Sequence, residues 1–161
     1  MSRPMLEHPE RLERDLSSLR TGTTIGTPEQ VQLVVDLGAQ EICNVYGLTE
    51  AFGNSCVIDA DQPLARRLVS SGPALDGVEI RIADVETGAN IEPGEMGEIR
   101  LRGHLMKGYL NDPIRTAEAF DQEGYLRTGD LGTLDEEGNL TYRGRLKEMV
   151  KTGGINVAPA E

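Results

Sequence analysis

Apolar residues recur along this chain at two spacings, and each spacing predicts its own elements. Leu12, Leu16 and Leu19 fall at i, i+4 and i+7, the repeat of one helix face. With Pro9 suited to a first helical turn, they predict a helix from Pro9 to Leu19. Val31, Val34 and Val35 repeat the helical spacing behind Thr27-Pro28-Glu29-Gln30. Thr27 fits the N-cap, Pro28 the first helical position, and Gln30 the return bond of a capping box. Gly38 is a natural stop. Between these helices Arg20–Gly26, rich in Gly and Thr, reads as a loop that offers backbone N–H groups and hydroxyls. Beyond them Glu41–Val45 reads as a short apolar strand ending at Tyr46-Gly47. Helix and strand in this order suggest the edge of an α/β layer.

From about Asn54 the period shortens to two. Val78-Glu-Ile-Arg-Ile82 and Glu98-Ile-Arg-Leu-Arg102 alternate strictly, as half-buried strands do. Strands are expected at Ser55–Asp59, Val78–Ala83, Gly97–Arg102, Tyr125–Arg127 and Leu140–Arg143. Turn clusters separate them: Ser71-Gly-Pro73, Glu86-Thr-Gly88, Glu92-Pro-Gly94 and Glu136-Glu-Gly-Asn139. One helix interrupts, Pro113–Phe120, with Asp112 as its cap. The expected fold is therefore an α/β fragment, a short α/β edge followed by a mostly antiparallel, barrel-like β subdomain. Residues 1–60 would form the α/β part and 61–143 the β-rich part. Residues 144–161 would open another unit, because Met149, Val150, Ile155 and Val157 have almost nothing downstream to pack on.

Composition narrows the class without naming it. The chain has 161 residues, of which 38% are hydrophobic and 4% aromatic, enough for one modest core. Sixteen Lys and Arg against 27 Asp and Glu leave a net charge of −11. That balance argues against a grip on the nucleic-acid backbone, which needs a basic face. No apolar run approaches the roughly 20 residues of a membrane span, and the first residues lack the apolar core of a secretory signal. Cys43 and Cys56 have no metal-ligand spacing and read as reduced thiols of a cytoplasmic protein.

Three clusters can carry chemistry, and each has a plain structural alternative. Tyr46-Gly-Leu-Thr-Glu50 stands at the carboxyl end of a strand, where open α/β sheets place ligands. Tyr46 offers a flat ring, Thr49 a hydroxyl for phosphate, and Glu50 a carboxylate for Mg²⁺; alternatively Thr49 and Glu50 serve a helix N-terminus. Asp130, in Tyr125-Leu-Arg-Thr-Gly-Asp130, sits between strands. It can accept both hydroxyls of a ribose, or simply cap its own turn. Arg145, in Gly144-Arg-Leu-Lys-Glu148, can pair with a phosphate or ribose oxygen, or belong to a solvated charge cluster.

Taken in order, Tyr46-Gly-Leu-Thr-Glu50, Gly97-Glu-Ile-Arg-Leu-Arg-Gly103, Lys107-Gly-Tyr-Leu-Asn-Asp-Pro113, Tyr125-Leu-Arg-Thr-Gly-Asp130 and Gly144–Val157 resemble the adenylate-forming superfamily. Its members are acyl-CoA synthetases, luciferases and peptide-synthetase adenylation domains. The resemblance runs from about Arg20 to Glu161. It implies a two-step ligase, in which a carboxylate attacks the α-phosphorus of ATP and a thiol, usually of CoA, then displaces AMP. By the same resemblance Tyr46 lies along the adenine or acyl group with Gly47 beside it. Thr49 contacts the α-phosphate, Glu50 holds Mg²⁺, Asp130 binds the ribose hydroxyls, and Arg145 reaches ribose and phosphate. Lys147 matches a hinge, and Lys151 with Gly153-Gly154 falls in a segment that approaches the site for thioester formation. Residues 144–161 would then be that hinge and the start of a truncated C-terminal domain. The resemblance also places the chain in acyl activation such as fatty acid metabolism.

The chain departs from the family too. It has no Ser/Thr/Gly-rich stretch followed by Lys to hold the β- and γ-phosphates; Thr21–Thr27 is followed by Pro28-Glu29 where a cation is wanted. By the same resemblance, most of the family's C-terminal domain, with its lysine, is expected to fall outside these residues. The expectation is an adenosine floor without phosphate clamp or lid, inactive in adenylation by itself and able to self-associate through exposed sheet edges. Two alternatives stand beside this: a non-catalytic nucleotide-binding or interaction module, and a peptide-synthetase-type fragment. Leu48 and the Arg102–Tyr109 stretch favour the acyl-CoA synthetases over the latter, which usually carry Pro at the Leu48 position.

Overall fold

Local signals in the first third place one βαβ unit. The computed structural model describes residues 2–148, 150–152 and 155–157, with side chains over 3–147. Helix α1 (Ser2–Leu6) comes first, and β1 (Thr21–Thr24), α2 (Pro28–Asp36) and β2 (Glu41–Leu48) follow. The capping box is present in full, with Thr27 and Gln30 each accepting the other's backbone N–H. Val31 and Val35 turn inward against Ala39 and Ile42. Strand β2 lies between β1, which runs parallel to it, and the antiparallel β3 (Gly53–Val57). Helix α3 (Leu64–Val69) packs beside α2 and β2, sending Leu64 and Leu68 into the same apolar cluster. Its Arg67 is buried, yet it donates to the carbonyls of Gln62, Ile42 and Gln40 at 2.8, 2.7 and 3.0 Å. A buried cation is tolerable because its donors are satisfied in this way.

The alternating segments form a second sheet. Strands β4 (Val78–Ala83), β5 (Gly97–Gly103), β6 (Leu126–Leu134) and β7 (Leu140–Arg145) follow one another antiparallel in that order. The sheet is open rather than a closed barrel. Its four strands are far fewer than the about eight around which a side-chain-filled barrel closes. Helix α4 (Pro113–Ala119) precedes β6, and Asp112 caps it by accepting the Arg115 N–H at 2.9 Å. Ile82, Ile99, Leu101, Leu126 and Leu140 share one core with Tyr46, Ala51 and Cys56 of the first sheet. The link between the sheets is tight at Gly72, whose φ is +79° and where a Cβ would lie 2.5 Å from Ile58 Cα. Beyond β7, the backbone of β8 (Val150–Thr152) pairs antiparallel with β9 (Ile155–Val157).

Several expectations are corrected. No helix runs from Pro9 to Leu19; a single 3₁₀ turn spans Pro9–Glu13, and the chain is extended at Arg14. Leu12 is 90% exposed, so its leucine repeat has no apolar surface to meet. The Arg20–Gly26 loop contains β1, an exposed edge strand whose Gly and Thr residues mimic loop composition. The strand expected at Ser55–Asp59 begins and ends two residues earlier, at Gly53–Val57. Strand β6 runs to Leu134, well past Arg127, so Asp130 lies within a strand and not in a turn between strands.

Candidate functional site

Strand β2 continues past its apolar Val45 into Tyr46-Gly47-Leu48, and its pairing with β3 shifts between Tyr46 and Gly47. Only glycine fits there: a Cβ on Gly47 would stand 1.9 Å from the Gly53 carbonyl oxygen. The chain then makes a 3₁₀ turn over Thr49–Ala51 and leaves it through Phe52, a non-glycine residue at φ 56°, ψ 22°. That left-handed conformation is strained for a bulky side chain.

Tyr46, buried under this turn, points toward the second sheet. Its hydroxyl donates to Asp130 Oδ2 at 2.8 Å, across a sequence separation of 84 residues. Asp130 is 4% exposed. Strand pairing sets it opposite Arg145, whose Nε lies 3.1 Å from Asp130 Oδ1. Burial first, and the Asp130 charge second, push the Tyr46 phenol above its ordinary range, so it remains a donor at any physiological pH. The Tyr142 ring stacks on that of Tyr46 at 6.1 Å. Phenol, carboxylate and guanidinium thus meet from β2, β6 and β7.

Glu50 takes part in a second, neighbouring constellation. Its Oε1 accepts the Tyr109 hydroxyl at 2.9 Å, and its backbone carbonyl accepts the Met106 N–H at 2.7 Å. Burial and then the Glu50 hydrogen bond raise the Tyr109 phenol, while the Arg115 guanidinium covers its ring at 4.1 Å. Among the described residues no group of three or more His, Cys, Asp or Glu side chains gathers as a metal cage. A single half-buried carboxylate fits a different mode of binding. Mg²⁺ takes one or two carboxylates and completes its shell with water and phosphate oxygens.

An open cleft of about 470 Å³ runs along the turn, lined by Ile25, Gly47, Leu48, Thr49, Phe52, Gly53 and Asn54. Gly47 and Thr49 therefore line the cleft, while Tyr46, Asp130 and Arg145 meet in a polar cluster of their own and Glu50 pairs with Tyr109; none of these four is among the cleft's lining residues. The Asp130 carboxylate meets Tyr46 and Arg145, residues far from it along the chain. Lys147 is exposed in the turn that follows β7. Lys151 lies in β8 opposite Asn156, and its side chain is outside the described residues, as are Gly153 and Gly154. Residue patterns alone do not single out Tyr109 and Tyr142. Both lie inside or just before the family motifs, and a polar ring in such a place is the available signal.

The chain thus joins a mixed α/β layer to an antiparallel sheet, with a polar cluster between the two and an open cleft along the turn after β2. The family model described as AMP-binding enzyme matches residues 1–110. A ring-substituted propanoyl:CoA ligase of Rhodococcus jostii is 40% identical over 162 residues, covering 98% of this chain and 29% of that relative. The 4-coumarate–CoA ligase of Vanilla planifolia is 39% identical over 154 residues, covering 91% of this chain and 28% of its own length. The solved o-succinylbenzoate CoA synthetase (MenE) of Bacillus subtilis, in complex with its acyl-adenylate intermediate, superposes with a TM-score of 0.81 at 30% identity. That match covers 99% of this chain and 33% of the solved one. The chain belongs to the AMP-binding enzyme family, within the adenylate-forming superfamily of acyl-CoA ligases. It spans less than a third of the length of the curated relatives it matches.

Proposed function

We propose that this chain carries the adenosine floor of an AMP-forming acid–thiol ligase. The observation that carries the reading is the convergence of Tyr46, Asp130 and Arg145, from three strands, on one buried carboxylate. An anion held between a phenol and a guanidinium can exchange those partners for the two hydroxyls of a ribose. Tyr46 and Gly47 would flank the adenine or acyl group, and Arg145, exposed at its tip, would reach ribose and phosphate. Thr49 on the cleft would donate to the α-phosphate.

The reaction fits these groups. A carboxylate oxygen attacks the α-phosphorus, its bond to pyrophosphate breaks, and an acyl-adenylate forms. The sulfur of CoA then attacks the acyl carbon, a thioester forms, and AMP leaves. The first step brings two anions together, so positioning and charge neutralisation matter more than covalent catalysis. Mg²⁺, when bound with the nucleotide, supplies part of that neutralisation, and Glu50 would hold it. Lys151 would approach the site for the thioester step. Residues 1–60 would complete the α/β part, 61–143 the second sheet, and 144–161 the hinge region of a C-terminal unit. Free thiols at Cys43 and Cys56 suit a reducing compartment such as the cytoplasm. Fatty acids are among the carboxylic acids such a ligase would activate.

Calorimetric titration with AMP tests the reading. Asp130→Asn keeps the shape but removes the charge that favours the ribose hydroxyls. Its AMP affinity should fall by about tenfold or more, the scale of one hydrogen bond to a charged group. Equal AMP affinity in a folded Asp130→Asn chain would refute it.

A further inference from the structure

The bulge that presents Asp130 has a support of its own. Glu98 pairs with Leu131 and Arg100 with Arg127, so between those pairs β5 advances by two residues and β6 by four. Thr128, Gly129 and Asp130 thus stand opposite Ile99 alone, an excess of two residues and a bulge of the kind that re-aims a side chain. Gly129 turns it at φ +69°, a conformation natural to glycine. Thr128 ties down one flank, its Oγ1 donating to the Ile99 carbonyl at 2.6 Å and accepting the Asp130 N–H at 3.1 Å. The crown is held by a different element: the Gly129 N–H donates to Glu98 Oε1 at 3.3 Å.

Glu98 is 4% exposed, and a buried carboxylate is costly unless it is paired and hydrogen-bonded. Its second oxygen stands 3.0 Å from Arg100 Nε and 3.7 Å from Arg127 Nε. Arg100 in turn meets Asp121 at 3.0 Å, and Asp121 also pairs with Arg81. One oxygen of Glu98 is thus locked by cations, and the other is left for the bulge.

We infer that Glu98 is a positioning residue for Asp130. Its carboxylate clamps the Gly129 N–H at the crown of the bulge and so sets the direction in which Asp130 leaves the sheet toward Tyr46 and Arg145. The ligand half of the following test rests on the ribose assignment of Asp130; the amide half does not.

Glu98→Gln keeps the shape but offers one acceptor to two donors, and the charged Arg100 takes it. In the 161-residue chain, amide exchange followed by NMR should then speed up at least about tenfold at Gly129 and stay unchanged at Leu101 and Leu126. The AMP affinity should fall about tenfold, the loss expected when a hydrogen bond to a charged group is misaligned, while that of 2′,3′-dideoxy-AMP stays constant. Unchanged Gly129 exchange in folded Glu98→Gln, or equal weakening of both nucleotides, overturns the inference. A wild-type chain that does not distinguish the two nucleotides overturns the ribose assignment instead, and the amide readout still judges Glu98. Should Glu98→Gln not fold, the double change Glu98→Met with Arg100→Met replaces the pair by apolar groups, a swap that buried pairs often tolerate. The same two readouts apply to that variant, and the same results support or overturn the role of Glu98.

Discussion

Single side chains here work mainly by satisfying one another. The Tyr46 hydroxyl is a neutral donor to a buried carboxylate, and removing it leaves an acceptor short of a partner. Tyr46→Phe is expected to lower stability by about 1.5–3 kcal/mol, the range for a hydrogen bond to a charged group, measured by urea unfolding. A shift within about 0.5 kcal/mol would mean that water replaces the phenol at no cost. Asp121 gives the pH dependence. Burial alone would raise its carboxyl, but the N–H groups of Tyr125 and Glu123 and the guanidiniums of Arg100 and Arg81 outweigh burial and hold it below the ordinary range. A depressed folded pKa contributes stability that is present above the unfolded value of about 3.9 and is lost as pH falls through the folded value. Acid titration of stability should therefore show a loss below about pH 4, and Asp121→Asn should flatten it. Identical acid slopes in the two proteins would remove Asp121 from the account.

At the scale of elements, caps and close approaches decide where strands begin and how near they lie. Gly72 combines φ +79° with backbone atoms 2.5 Å from any Cβ, in the loop between α3 and β4 that Leu140 of β7 holds through Ser71 and Gly72. Gly72→Ala must therefore push backbone apart and hold a strained φ, and it should cost well over the about 1 kcal/mol typical of a point change. Thermal denaturation measures it, and an unchanged midpoint would show that the loop can give. Several elements were legible from local chemistry: the capping box of α2, the Asp112 cap of α4, and β4, found just as alternation placed it. Strand β1 and helix α3 were not. The first is an exposed edge made of Thr and Gly, and the second is six residues long, too short for a helical period to declare itself.

For the whole molecule, the two sheets share a core through Tyr46, Ala51 and Cys56. Burial pushes the Cys56 thiol up to about 12, so it stays protonated at neutral pH, as an interior group should. Under the proposed function the chain supplies an adenosine floor, while the reaction would also need cations around the β- and γ-phosphates. ATP–pyrophosphate exchange with a panel of carboxylates should accordingly be at background for these 161 residues alone. Robust exchange would show that the chain builds its own phosphate clamp.

Order and spacing of the motifs were set by sequence alone, and so were the caps, the turn glycines and the alternating strands, because each depends on neighbours within a few residues. The position of Asp130 inside a strand, its bond to Tyr46, the stack of Tyr142 and the clamp by Glu98 came only with tertiary structure. Those contacts join residues far apart along the chain through strand register, and a shift of one residue in register turns every side chain to the other face. The second sheet stays open because its four strands are too few to close on themselves.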